Sequence, residues 1–130
     1  MNIVGLDHLV LTVKDINETV KFYTDVLGMV VEKFTAGDQQ RIALKFGNQK
    51  INLHQQGREF KPGALVPLPG AGDFCLICDT PVEQIKQELE QREIPILQGP
   101  VEKTGATGPL QSIYIRDPDQ NLVELSNQTR

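Results

Sequence analysis

Residues 6–13, "LDHLVLTV", are mostly apolar and read as a buried strand interrupted by His8. Leu9, Leu11 and Val13 fall on one phase, and His8, Val10 and Thr12 on the other. The period then changes. Ile16, Val20, Tyr23 and Leu27 recur at helical spacing. Asp15 is placed to cap that helix with Glu18 as its capping-box partner, and Gly28 is placed to stop it. Three strands are predicted next, "MVVEKFTA", "QRIALKFG" and "KINLHQ", with turns at Gly37-Asp38 and Gly47-Asn48. Residues 57–72, rich in glycine and proline, read as a linker or covering loop.

The pattern then restarts. "DFCLIC" reads as a strand. Thr80 is expected as the N-cap of a second helix, with Pro81 at its first position, Glu83 completing a capping box, and Val82, Ile85 and Leu89 on its buried face. "IPILQ" is expected as a strand and "GPVEKTGATGP" as a loop. "LQSIYIRD" and "NLVELSN" are the last two strands, joined by a tight turn at residues 118–121.

Strand, helix, three strands, and the same again suggests an internal duplication. A shift of 65 residues lays Asp73 over His8, and a shift of 70 lays Glu124 over His54. These four metal-capable side chains all sit in otherwise apolar strands. Alternation puts Ile51 and Leu53 on one face and Asn52 and His54 on the other, and likewise separates Val123 and Leu125 from Leu122, Glu124 and Ser126. If each sheet covers its helix with one face, the other faces bring His8, His54, Asp73 and Glu124 into one cup. Two imidazoles and two carboxylates suit a divalent first-row ion with positions left open for water or substrate. The competing reading is four polar residues on an exposed sheet face or in a buried hydrogen-bond network.

Composition narrows the field. The chain has 130 residues, enough for one domain with a real core. Its net charge of -4 and pI near 5.1, with no basic stripe, argue against nucleic acid or an anionic membrane as partner. No apolar run is long enough to span a bilayer. Asp7 and His8 stand where a signal peptide needs apolar residues, so a cytoplasmic protein is expected. Cys75 and Cys78 have CxxC spacing but lie on a strand pattern, where residues three apart face opposite ways; they are read as small, reduced hydrophobes.

Two long stretches carry a family resemblance. "LDHLVLTVKDINETVKFYTDVLGM" is similar to the opening, and "IYIRDPDQNLVELSN" to the close, of the vicinal oxygen chelate superfamily, which includes glyoxalase I, bleomycin-resistance proteins, fosfomycin-resistance thiol transferases and extradiol dioxygenases. "TGATGPLQSIYIRDPDQNLVEL" resembles the branch named glyoxalase-domain-containing proteins. The resemblance implies an α+β fold of two βαβββ modules forming a cup-shaped half-barrel pair. Here that is a single glyoxalase-like domain, with module one at 1–56, linker at 57–72 and module two at 73–130.

The resemblance also implies metal ligands on the first and last strands of each module, at His8, His54, Asp73 and Glu124. Bacterial glyoxalase I has the order His, Glu, His, Glu, whereas this chain has His, His, Asp, Glu. Three-ligand members use the first strands of both modules and the final Glu, with His where Asp73 stands. Gln120 replaces the usual glycine of the closing turn. The implied activity is a metal-dependent lyase acting on a hemithioacetal of a 2-oxoaldehyde and a small thiol. The divalent ion (Ni, Co, Zn, Mn or Fe) binds the substrate oxygens, and Glu124 is the base that moves a proton between adjacent carbons. Glu124 is favoured for that role because it lies deep in an apolar strand, where burial raises carboxylate basicity. Residues 99–109 are a candidate cover for the cup. A homodimer is expected, with His8 and His54 from one chain meeting Asp73 and Glu124 of the other. The rivals are another metalloenzyme of the same fold, an antibiotic thiol transferase or a dioxygenase, and a metal-free drug-sequestering protein.

Overall fold

In the computed structural model, which describes residues 1–129, the elements run β1 (His8–Val13), α1 (Ile16–Asp25), β2 (Val30–Ala36), β3 (Gln39–Phe46) and β4 (Gln49–Gln55). They continue as β5 (Asp73–Ile77), α2 (Val82–Gln91), β6 (Gln98–Thr104), β7 (Pro109–Arg116) and β8 (Leu122–Gln128). These form two compact units, one of residues 1–69 and one beginning at Gly70. The fold is α+β. Each unit is a βαβββ module whose four-stranded sheet has the order β1-β4-β3-β2 or β5-β8-β7-β6. The outer pairs β1/β4 and β5/β8 are parallel and the others antiparallel.

One face of each sheet is closed by its helix. In the first unit, Tyr23 and Thr19 of α1 are buried with Leu11, Val13, Leu44, Ile51 and Leu53. In the second, Val82, Ile85 and Leu89 of α2 are buried with Ile113, Ile115, Val123 and Leu125. Each such aliphatic side chain withdraws enough apolar surface to contribute about 1.5–3 kcal/mol. The other phase of every strand is thereby turned away from the helix, and this is where the chemistry collects. Asp15 caps α1 as expected, its side chain accepting from the amides of Asn17 and Glu18. Such a cap is worth about 1 kcal/mol. Gly28 takes a positive φ of 72° just beyond the helix end, and its amide reaches the Thr24 carbonyl.

Three local expectations are corrected. "IPILQ" is not a strand: β6 begins at Gln98 and runs through most of the segment read as a loop. Gly99 and Pro100 gave the loop signal, but both have strand roles. A Cβ at Gly99 would strike the Ser112 carbonyl, so glycine marks a close approach of backbones, and the β6/β7 register shifts between Gln98 and Val101. β6 is an edge strand, which tolerates the missing amide of Pro100. The candidate cover at 99–109 therefore shrinks to the hairpin connection between Thr104 and Pro109. Finally, Thr80 does not cap α2. Pro81 occupies the N-cap with no side-chain bond, and the amide of Val82 instead donates to Asn127 Oδ1 at 2.8 Å, an acceptor brought in from β8.

Candidate functional site

In the second unit, the face turned from α2 gathers a carboxylate, three hydroxyls and a thiol. β8 presents Glu124 and Ser126, β7 presents Ser112 and Tyr114, and β5 presents Cys75. Register brings them together: Glu124 pairs with Tyr114 on one side and Cys75 on the other, and Ser126 pairs with Ser112. Ser112 Oγ donates to Glu124 Oε2 at 2.6 Å, Ser126 Oγ lies 3.3 Å from the same oxygen, and the two hydroxyls are 2.7 Å apart. Both serines are fully buried, so this bonding fixes the carboxylate from below. Cys75 Sγ lies 3.2 Å from Ser126 Oγ.

Burial, then the negative charge of Glu124 and a hydrogen bond to it, push the Tyr114 hydroxyl above its ordinary pKa. Burial likewise pushes up the Cys75 thiol, which stays protonated near neutral pH. Glu124, Tyr114 and Cys75 line a cleft of about 520 Å³ together with Ile77, Lys103, residues 104–107 and Leu110. The volume suits a small organic molecule. The Lys103 ammonium lies 5.5 Å from the Tyr114 ring centre, a cation in the lining of the same cleft as the Glu124 carboxylate.

Asp73 lies on the same face as Glu124, exposed at the start of β5. Its register partner is Leu122, so the two carboxylates are offset by two residues and one strand. In the first unit His8 is also exposed at a strand start, and its Nδ1 is held by Asp7 Oδ1 at 2.8 Å. Those partners assign the proton to Nδ1 and leave the Nε2 lone pair for a ligand, the arrangement in which a carboxylate orients a metal-binding imidazole.

His54 differs. It is 5% exposed, and its Nε2 lies 2.8 Å from Arg41 Nη2. Guanidinium can only donate, so Nε2 is the acceptor and its lone pair is taken. Burial first, then the Arg41 charge, hold the imidazole below its ordinary pKa of 6.5. Register separates the two histidines as well: His8 pairs with Lys50, while His54 pairs with Thr12. Four residues of strand rise put about 13 Å between their rows. Within the first unit the two imidazoles do not converge.

The same register revises the internal duplication. With Asp73 laid over His8, the residue over Glu124 is Asn52, because Val10↔Asn52 corresponds to Cys75↔Glu124. His54 then corresponds to Ser126, and the Arg41–His54 contact to the Ser112–Ser126 contact. Among the described residues no group of three or more His, Cys, Asp or Glu side chains is arranged to hold a metal ion. Ser112, Tyr114, Lys103, Arg41 and Asn52 were not singled out from the sequence. The phase of "LQSIYIRD" carried a signal for the first two, since Ser112 and Tyr114 alternate with the core residues Ile113 and Ile115.

Two βαβββ modules in one chain are the fold of a known class. Residues 5–125 match the Glyoxalase/Bleomycin resistance protein/Dioxygenase superfamily, and the chain belongs to it. Among its relatives is virulence protein STM3117 of Salmonella typhimurium, 55% identical over 121 residues that cover 93% of this chain and 82% of the relative. The crystal structure of that protein superposes with a TM-score of 0.94 at 53% identity, covering 99% of this chain and 100% of the other. Glyoxalase domain-containing protein RDO1 of Mycosarcoma maydis is 50% identical over 127 residues, 98% of this chain and 70% of the relative. A lactoylglutathione lyase from Agrobacterium tumefaciens is structurally similar at a TM-score of 0.69 and 27% identity, covering 95% of this chain and 92% of that one. No helix among the described residues is long and apolar enough to cross a membrane.

Proposed function

We propose that this protein is a metal-dependent lyase of the glyoxalase I type, acting on a hemithioacetal of a 2-oxoaldehyde and a small thiol. The observation that carries the reading is Glu124, a carboxylate held by two buried serine hydroxyls in the lining of a cleft. The likeness to a lactoylglutathione lyase supports it. The donors proposed for the ion are His8, Asp73 and Glu124. The chemistry of this set fits: an imidazole with its Nδ1 committed to a carboxylate, and two carboxylates, suit a divalent first-row ion. His54, whose lone pair Arg41 occupies, is left out. Such an ion, when bound, acts as a Lewis acid on the substrate oxygens.

The chain's own groups account for the proton movement. Glu124 removes the proton from the carbon bearing the sulfur and returns it to the neighbouring carbon, while the hydroxyl proton passes from the first carbon's oxygen to the second's; the reaction is an isomerisation, so atoms balance without a co-reactant. Ser112 and Ser126 keep the carboxylate in place during both transfers. The Tyr114 hydroxyl, held in its protonated form by burial and by Glu124, stays a donor and does not compete as a base. Lys103 in the lining favours an anionic substrate such as a carboxylate-bearing thiol adduct.

Metal uptake tests the donor set, read together with isomerisation of methylglyoxal plus glutathione. His8→Ala, Asp73→Ala and Glu124→Ala should each lower affinity for nickel or zinc by tenfold or more, by analogy with losses of about 10–100-fold for outer-shell partners. His54→Ala should take up metal as the wild type does. Uptake lost in His54→Ala but kept in Asp73→Ala would restore His54 as a ligand and sink this set. Wild-type protein that binds metal but does not turn over methylglyoxal with any small thiol would refute the lyase reading.

A further inference from the structure

The first sheet carries a second cluster on its helix-free face, outside the lyase reading. Arg41 lies one position beyond the Ile42↔Leu53 pair, beside His54, and opposite Phe34 on β2. Its guanidinium stands 4.4 Å from the Phe60 ring centre and 5.6 Å from that of Phe34. The Lys50 ammonium stands 4.0 Å from the Phe34 ring centre. Both cations thus meet Phe34, and Arg41 meets Phe60 as well.

Neither cation has a carboxylate within ion-pairing distance among the described residues. The carboxylates nearby bond other groups: Asp7, whose charge is felt by Lys50, holds His8; Glu59, whose charge reaches His54, accepts from the Gly57 amide; and Glu32 lies 4.0 Å from Lys45. Two polar atoms on this face are buried without a partner, Nε of Arg41 and Oδ1 of Asn52, and Asn52 is only 5% exposed. Asn52 sits on the diagonal from Arg41, one strand over and two residues along, a spacing of roughly 7–8 Å between backbones. A buried donor and a buried acceptor each cost free energy when unmet, so a molecule that reaches them gains that free energy on binding.

We propose that this face binds a small organic carboxylate that also carries a hydroxyl: the carboxylate on Arg41 and Lys50, the hydroxyl donating to Asn52 Oδ1, and the carbon frame against Phe34 and Phe60. His54 is a positioning residue. By accepting from Nη2 it fixes the guanidinium plane, and Phe60 packs edge-on against the imidazole at 5.3 Å. The neutral imidazole favoured by its surroundings is the form that can accept. This site does not depend on the metal or on Glu124.

The chain has only two histidines, so side-chain nitrogen NMR resolves both. Mandelate, which has the ring, the carboxylate and the hydroxyl, is titrated into metal-free full-length protein. The expected result is saturable movement of the His54 ring nitrogens, larger than any movement at His8, the register partner of Lys50. Arg41→Lys keeps the charge but loses the fork, and should weaken binding about tenfold; Arg41→Gln should remove saturation while the amide spectrum stays dispersed. Asn52→Leu should weaken mandelate and leave phenylacetate, which lacks the hydroxyl, unchanged. No saturable shift of His54 at concentrations on the order of tens of millimolar, where even weak sites fill, would overturn the proposal. So would equal binding by Arg41→Gln, or inorganic phosphate competing as tightly as mandelate. Failure here leaves metal uptake by His8, Asp73 and Glu124 untouched, and failure of that uptake leaves this titration untouched.

Discussion

Gln120→Gly should stabilise the protein. Gln120 stands in the closing turn with φ at 72°, in the left-handed region where a side chain collides with its own backbone. The surrounding turn holds it there. Asp117 Oδ1 accepts from the amides of Asp119 and Asn121 at 2.9 and 3.0 Å, and Oδ2 accepts from Asn121 Nδ2 at 2.8 Å. Asn121 in turn accepts from the Gly72 amide at 2.7 Å, tying the turn to the start of β5. Gln120 contributes its backbone, the amide donating to Asp117 and the carbonyl accepting from Arg116, while its side chain is exposed. Glycine keeps both bonds. It relieves a left-handed penalty of about 1–2 kcal/mol and adds an unfolded-state entropy cost of about 0.5–1 kcal/mol. The net gain is about 0.5–1 kcal/mol, or roughly 2–5 °C in Tm for a chain of this size. Thermal and denaturant unfolding of wild type, Gln120→Ala and Gln120→Gly read it directly. Alanine should match glutamine, because the strain lies in the backbone. A glycine variant no more stable than alanine would refute the reasoning, since it would mean the turn exerts no left-handed constraint.

Other consequences follow from the same geometry. His54 has a folded pKa below the 6.5 of an ordinary imidazole, so the unfolded chain protonates first as pH falls. The stability it contributes is complete above about pH 6.5 and is lost as pH drops towards the folded value; His54→Gln, which can still accept from Arg41, should flatten that slope in denaturant midpoints measured across pH, and an unchanged slope would assign it elsewhere. Gly99→Ala, with φ at 110° and a Cβ driven into the Ser112 carbonyl, should destabilise by more than about 2 kcal/mol in denaturant unfolding and loosen the seat of Glu124. If metal sites are shared between two copies, refolding His8→Ala with Glu124→Ala should recover roughly a quarter of wild-type sites, since half the dimers are mixed and each has one intact site. No recovery in proven mixed dimers would place each site within one chain.

The residues that were legible in the sequence share a cause. Asp15 capped α1, and Ile16–Asp25 formed behind it, because a cap and a helical period act over a few neighbouring residues. The faces of β4 and β8 were legible because alternation puts core and polar residues on opposite phases whatever the strand pairs with. β6 was misplaced for the converse reason. Gly99 and Pro100 ordinarily break strands, and only the partner strand, with Ser112 pressed against Gly99 and a bulge beside it, shows why they belong in one.

Register is the harder case, and it decides the chemistry. Laying His54 over Glu124 and laying Asn52 over Glu124 differ by two residues. A slip of one would have sent every core side chain to the wrong face and been rejected at once; a slip of two preserves every face, so alternation accepts both. The hydrogen-bond ladder distinguishes them, through Val10↔Asn52 in one unit and Cys75↔Glu124 in the other. The sequence pattern therefore put His54 on the correct face and opposite the wrong neighbours. With Arg41 beside it, the imidazole Nε2 becomes the acceptor of a guanidinium proton, and a residue whose type suits a metal is committed to holding a cation of another kind.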